Sequence, residues 1–204
     1  MKLAKVSAIS ICTFCLVLSG ISVCLGGPLK EEPKKPTDSS GISQDKPIKE
    51  KIVVEWPKSG NWVAGDVITG PPRTEVFYPK GQSAADWSEM GTIEYDVQYK
   101  ASDLGGRARL LFLGTQKGSP NAKWNILTRG FKDEEKKDYQ FIFFRIDCPD
   151  FTSGEPAQVQ FWLLMRGKTG LFTVQYSYKG KEIPEANGNA ISQTLKDTHI
   201  EIEK

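Results

Sequence analysis

The stretch QVQFWLLMRGKTGLFTVQYSY, residues 158–178, decides the fold. Residues 158–166 and 171–178 are rich in aromatic and branched aliphatic side chains, and a Gly-Lys-Thr-Gly turn at 167–170 separates them. Two such runs joined by a short glycine-containing turn predict a β-hairpin. Because the strands of a hairpin run antiparallel, this stretch predicts an antiparallel sheet.

Further strands are predicted on the N-terminal side of this hairpin. Residues 92–99 alternate between apolar and polar side chains, which is typical of a strand with one buried face. The other runs expected to be strands or extended edges are 53–56, 62–69, 75–78, 124–128 and 139–148.

Three segments predict helical structure. They are a helical turn at 83–90, a helix at 102–115 that Gly105 and Gly106 weaken, and a closing helix at 189–198. We therefore expect an α+β domain, in which a single antiparallel sheet of about five strands is covered on one face by one or two helices.

The N-terminus has the pattern of a secretory signal. Lys2 and Lys5 precede an uncharged, largely apolar stretch at 6–25. Three alternatives follow from it: cleavage near Gly26, lipidation of Cys24, or retention of the stretch as a membrane anchor. In the last case the two lysines would keep the N-terminus inside and the remainder of the chain outside.

Residues 1–26 are accordingly assigned as a signal peptide or membrane anchor. Residues 27–51 are dense in Lys, Glu, Pro and Ser and hold few aliphatic side chains, so we expect a disordered polar linker. The composition then changes to short β-prone runs, which places a single domain at 52–204. Together these segments predict an exported protein of the periplasm, cell envelope or medium.

Composition argues against several classes of function. The formal net charge is only +2 and both signs are interspersed, whereas binding to nucleic acid needs a clustered basic face. His199 is the only histidine and Cys148 the only cysteine beyond the N-terminal segment, so no closed zinc set, Ser-His-Asp site or internal disulfide is expected. We expect no enzyme activity, no metal and no cofactor. Cys148 follows an apolar strand and is expected to be buried.

One part of the chain resembles a group of small exported bacterial proteins of unknown function. Residues 75–83, EVFYPKGQS, are followed by DWSEM at 86–90, and that group opens with E-x-x-x-P-x-G leading to W-[ST]-E-M. The order after Cys148, a hairpin and then a closing helix, is also similar. The resemblance implies an envelope-associated bacterial protein and carries no catalytic residue.

The leading functional hypothesis is an interaction module that binds another protein, as an accessory of a secretion or surface apparatus. Glu75, Trp87 and Glu89 are its candidate contacts, since a tryptophan beside carboxylates is a suitable anchor for a protein partner. The alternatives are a secreted virulence factor acting on a host target, and a small-molecule or glycan binder with an aromatic wall. The tryptophans considered for that wall are Trp56, Trp62, Trp124 and Trp162.

Overall fold

The structure, a computed structural model, describes residues 49–99 and 103–203. The predictions for the signal segment at 1–26, for lipidation of Cys24 and for most of the linker at 27–51 lie outside these residues. Within them, no helix is both long and apolar enough to cross a membrane.

A seven-stranded antiparallel sheet forms the body of the domain. The strands are β2 (Val63–Ile68), β3 (Arg73–Tyr78), β4 (Glu89–Asp96), β5 (Lys123–Asp133), β6 (Asp138–Cys148), β7 (Gln158–Arg166) and β8 (Leu171–Lys179). They lie in the order β2-β3-β4-β8-β7-β6-β5, and every neighbouring pair is antiparallel.

The ends of the described chain form a second, two-stranded sheet. β1 (Lys49–Val53) pairs antiparallel with β9 (His199–Glu203), and we call this pair the β1–β9 ribbon. The two α-helices are α1 (Leu104–Gly118) and α2 (Glu185–Asp197). Because β1 begins at Lys49, the last three residues assigned to the linker are part of a strand.

The expected antiparallel sheet and its central hairpin are confirmed, but the expected number of about five strands is wrong. Seven strands form because the runs expected at 62–69 and 75–78 to be strands or extended edges pair with each other as β2 and β3, and β3 pairs with β4. The helical turn expected at 83–90 is also wrong. Ser83 and Asp86 instead form an isolated bridge, and Glu89 already begins β4.

The two helices lie on opposite faces of the sheet, whereas one face was expected to carry both. On one face, α2 buries Ile191 and Leu195 against a cluster that includes Phe143 and Leu163. On the other, Phe112 of α1 stacks on Trp124, with ring centroids 5.2 Å apart, and Trp124 meets Phe144 edge-on at 6.1 Å. Neighbouring residues of a strand point to opposite faces, so Phe143 packs into the core under α2 and Phe144 into the core under α1. We call these faces the α2 face and the α1 face.

The inner strand β7, which has a neighbour on each side, explains why both faces are covered. Its residues Gln158–Met165 are all buried. A strand that is apolar at successive positions cannot expose either face to water without losing about 1.5–3 kcal/mol per large side chain. A helix on each side satisfies both faces.

Candidate functional site

A pair of stacked tryptophans forms a pocket on the α2 face. The rings of Trp56 and Trp62 have centroids 5.1 Å apart and an interplanar angle of 23°. Trp56 also packs on Phe77 of β3 at 5.7 Å, and Trp62 on Tyr176 of β8 at 6.0 Å. The pair therefore rests on the sheet across β3, β4 and β8.

Glycine at position 91 makes this packing feasible. A Cβ atom built on Gly91 would lie 2.5 Å from Cη2 and 2.6 Å from Cζ2 of Trp56, closer than carbon atoms approach. Gly91 stands between Phe77 and Tyr176 in the register of the sheet, so the indole ring of Trp56 occupies the space of a missing side chain.

A tight turn positions the two tryptophans. Lys58–Gly60 is a 3-10 turn closed by a hydrogen bond from Gly60 N to Pro57 O at 3.2 Å. Asn61 follows in the left-handed region, with φ 43° and ψ 57°, a conformation that asparagine tolerates better than most residues. Lys80 N donates to Gly60 O at 2.9 Å and so fastens the turn to the end of β3.

The mouth of the pocket is open and carries positive charge. Lys58 and Lys80 are exposed on it, and within the described residues neither forms an ion pair. We call the set the tryptophan pocket; its lining residues are Trp56, Pro57, Lys58, Asn61, Trp62, Val63 and Lys80.

The pocket opens beside a free sheet edge. β2 is the outermost strand on its side and pairs only with β3, and all six of its residues are exposed. Three of them are large and β-branched: Val63, Val67 and Ile68 are 43%, 49% and 46% exposed. A register shift between Ala64 and Val67 is the only irregularity of this pairing. We call this strand the β2 edge.

The candidate contacts predicted from the sequence are each engaged within the domain. Glu75 of β3 pairs with Arg73 at 2.7 Å. Trp87 lies under the Lys179 ammonium, which is 4.2 Å from the ring centroid. Neither these two residues nor Glu89 is among the residues that line the tryptophan pocket, and the role of all three in partner binding stays a prediction.

Of the three predicted contact residues, Glu89 has the most hydrogen-bond partners within the domain. Its carboxylate accepts a hydrogen bond from the Tyr176 hydroxyl at 2.8 Å and a longer one from Asn187 Nδ2 of α2 at 3.4 Å. Burial first, and then the Glu89 carboxylate, raise the pKa of Tyr176, so this phenol stays protonated and donates. Glu89 thus ties α2 to the sheet beside the tryptophan pair.

The structure divides the four tryptophans considered for an aromatic wall. Trp56 and Trp62 line the pocket, whereas Trp124 and Trp162 belong to a stack with Phe112 and Phe144 on the α1 face. Trp162 is 5% exposed and its Nε1 donates to Gln160 Oε1 at 3.1 Å, so it serves the core.

A half-buried ion pair lies on the α1 face. Arg107 Nη2 of α1 is 3.6 Å from Glu94 Oε1 of β4, with side chains 15% and 17% exposed. Burial raises the pKa of Glu94, and the Arg107 guanidinium only partly offsets this effect. The Arg107 guanidinium also lies 5.4 Å from the ring centroid of Tyr99.

The remaining chemically distinctive side chains form no reactive site among the described residues. Burial raises the pKa of the Cys148 thiol to about 12, which keeps it protonated and unreactive. His199 is exposed in β9 and lies 3.4 Å from Glu201. Within the described residues no three His, Cys, Asp or Glu side chains come together as a metal site.

Comparison with known proteins gives a likeness of fold only. No protein-family model matches the chain, and no curated protein matches it. Two similar solved structures are of Mog1. The Ran-binding protein Mog1p of Saccharomyces cerevisiae is 14% identical, with a TM-score of 0.42, over 74% of this chain and 95% of that chain. A point mutant of Mog1 is 13% identical, with a TM-score of 0.41 and the same coverage. Values this low assign neither a family nor a function.

Most of the pocket could not be found by inspecting the sequence. The sequence marks Trp56 and Trp62 as candidates for an aromatic wall, but no local pattern indicates Lys58, Asn61 or Lys80. These residues come together because Lys80 N, just after β3, donates a hydrogen bond to Gly60 O, some twenty residues earlier in the chain. The one available signal was Gly91, which interrupts an otherwise alternating strand and so suggests a close approach of another group.

Proposed function

We propose that this chain is an exported, non-catalytic module that binds another protein through the β2 edge. The β2 edge carries this proposal, because it presents unpaired backbone groups together with exposed Val63, Val67 and Ile68. An open edge with exposed β-branched side chains is a template for another strand, and β2 carries a single charged residue, Asp66.

The tryptophan pocket supports the same proposal. It lies at the start of β2, with Val63 in both features. In strand addition the main chain supplies affinity, while pockets beside the strand select side chains. The two free cations at the mouth, Lys58 and Lys80, would favour an acidic residue of the partner.

Export is the second part of the proposal and rests on the sequence of residues 1–26. Cell fractionation would place the protein in the envelope or the medium, and intact-mass analysis would identify the N-terminus. A mature chain that begins after Gly26, a lipid on Cys24 and an uncleaved segment give three different masses. Recovery of unprocessed protein in the cytoplasm would contradict this part.

Site-specific crosslinking tests the binding surface. A photoreactive amino acid at Val67 on the β2 edge should capture one dominant protein in living cells, whereas the same group at Leu127 on β5 should not. Leu127 is a matched control, because it is 41% exposed on the opposite edge strand.

The captured protein is then purified and its binding to the wild-type chain measured by calorimetry. Val67→Lys should weaken binding at least roughly tenfold, the size of effect expected for an interface anchor. Equal capture at both positions, or unchanged affinity of V67K, would overturn the β2 edge as the binding surface.

A small-molecule or glycan binder is the second candidate, and the stacked pair Trp56–Trp62 beside Asn61 is what favours it. Tryptophan fluorescence during titration with envelope sugars tests it. A saturable shift that Trp62→Ala removes would support this candidate, and the absence of any shift would dismiss it.

A further inference from the structure

The β7–β8 turn forms a small receptor for a carboxylate. Lys168 N and Thr169 N donate to Glu50 Oε1 and Oε2, each at 2.9 Å, and Thr169 Oγ1 donates to Oε2 at 2.7 Å. Successive backbone N–H groups that converge in a turn make an anion-binding concavity. We call these three donors the turn nest.

Residues around the nest hold it in shape. The Tyr95 hydroxyl is 2.7 Å from Thr169 Oγ1, and since that oxygen gives its proton to Glu50, the tyrosine is the donor of this bond. Tyr95 itself stacks on Phe172 at 4.5 Å. A Cβ atom at Gly167 would lie 2.5 Å from Glu50 Oε2, so the carboxylate occupies space that only glycine leaves.

The ligand of the nest comes from the β1–β9 ribbon. Glu50 lies on β1 and pairs with Ile202 of β9. Besides the hydrogen bonds of Glu50, the ribbon packs Ile52, which is 7% exposed, and partly buried Ile200 against the core of the sheet. Two strands alone are marginally stable in water. The ribbon therefore depends on a few contacts, of which the Glu50 carboxylate is the most directional.

We propose that the turn nest is a carboxylate-binding site whose resident ligand is Glu50, and that the β1–β9 ribbon is a strap which this ligand holds against the sheet. When Glu50 leaves, the ribbon opens while the seven-stranded sheet stays intact, and the nest accepts a free carboxylate. Since β1 begins at Lys49, within the segment assigned as a linker, the strap lies where that segment joins the domain.

Hydrogen exchange in the full chain tests the strap. In Glu50→Ala, amides of β1 and β9 should exchange at least roughly tenfold faster, because three charge-assisted hydrogen bonds are lost. Amides of β6 and β7 should keep their wild-type rates. Glu55→Ala, which removes an exposed carboxylate two residues beyond β1, is the matched control and should leave the ribbon unchanged.

Chemical rescue tests the nest. Sodium acetate should slow ribbon exchange in E50A, whereas sodium chloride at equal ionic strength should not. The double variant E50A/T169A keeps the two backbone donors but loses the hydroxyl donor, so it should need a higher acetate concentration for the same effect. Glu50→Gln should fall between wild type and E50A, because its amide keeps one acceptor oxygen.

Three results would overturn the inference. Unchanged amide exchange of β1 and β9 in E50A would show that Glu50 does not hold the ribbon against the sheet. Accelerated exchange throughout β6 and β7 would make Glu50 a part of the global fold instead of a local fastening. Equal effects of acetate and chloride would show that the nest does not recognise a carboxylate.

Discussion

At the scale of single residues, Gly91 sets the position of the tryptophan pair. Gly91→Ala places a methyl group within 2.5–2.6 Å of the Trp56 ring, so the ring must move. We expect a loss of about 1–3 kcal/mol in the free energy of unfolding, as for other overpacked sites, and a weaker near-UV circular dichroism signal from the stacked indoles. Urea unfolding and near-UV spectra measure both.

Gly70→Ala is the control for that substitution, because nothing lies within 4 Å of a Cβ atom there. Its free energy of unfolding should stay within about 0.5 kcal/mol of wild type, as for most surface substitutions. Equal effects at both glycines would mean that Trp56 does not need the space above position 91.

Glu94 gives a prediction for pH dependence. Its pKa is raised above the ordinary value of 4.5 in the folded protein, mainly by burial, so the folded state binds this proton more tightly than the unfolded state. The stability linked to that proton is present below pH 4.5 and is lost as pH rises through the folded pKa. Glu94→Gln lacks this proton equilibrium.

The free energy of unfolding of E94Q minus that of wild type should therefore increase as pH rises from 4 to 7. Chemical unfolding at several pH values measures this difference. Hydrogen bonds lower the pKa values of Asp133 and Glu134. Because both residues occur in both proteins, their contributions to the pH dependence cancel in the difference. A difference that is constant with pH would contradict the raised pKa.

Two residues, Cys148 and Glu89, show which side-chain environments can be predicted from the sequence and which cannot. The expectation that Cys148 is buried is confirmed, because an apolar strand before it carries that information locally. Glu89 was expected at a surface groove, and nothing near it in sequence indicated its bond to Tyr176, which is 87 residues away. Contacts of that range depend on strand order, which local patterns do not contain.

At the scale of elements, α1 offers a test of which of its sides faces the sheet. Leu111 is 2% exposed and Leu110 is 57% exposed on the same helix. Leu111→Ala should cost about 2–5 kcal/mol in the free energy of unfolding, because it leaves a cavity over β6 and β7. Leu110→Ala should cost less than about 0.5 kcal/mol. The two unfolding curves, measured side by side, decide the point.

The sequence of β7 contains a signal for helices on both faces of the sheet. The run Phe161–Met165 has no polar alternation, and such a run indicates a strand buried on both faces. That pattern calls for cover on each side of the sheet, as α1 and α2 provide. The strand number was harder to obtain, because β2 is exposed at every position and therefore has no amphipathic pattern.

At the scale of the whole molecule, Cys148 reports global unfolding. Its thiol is 1% exposed and its pKa is raised to about 12, so a thiol reagent reaches it only when the domain opens. In a variant with Cys12, Cys15 and Cys24 replaced by serine, modification should begin at the same urea concentration as the loss of tryptophan fluorescence. Rapid, complete modification under native conditions would show that the end of β6 opens by itself.

The arrangement of the chain ends has a mechanical consequence. Lys49 lies opposite Glu203 at the outer end of the β1–β9 ribbon, so both ends of the domain leave it at one point. A force that pulls these ends apart acts on the ribbon as on a zipper, loading its hydrogen bonds one after another from Lys49 toward Val53. The first rupture would therefore occur at low force and would release a few residues of slack, while the seven-stranded sheet bears no load until the ribbon has parted.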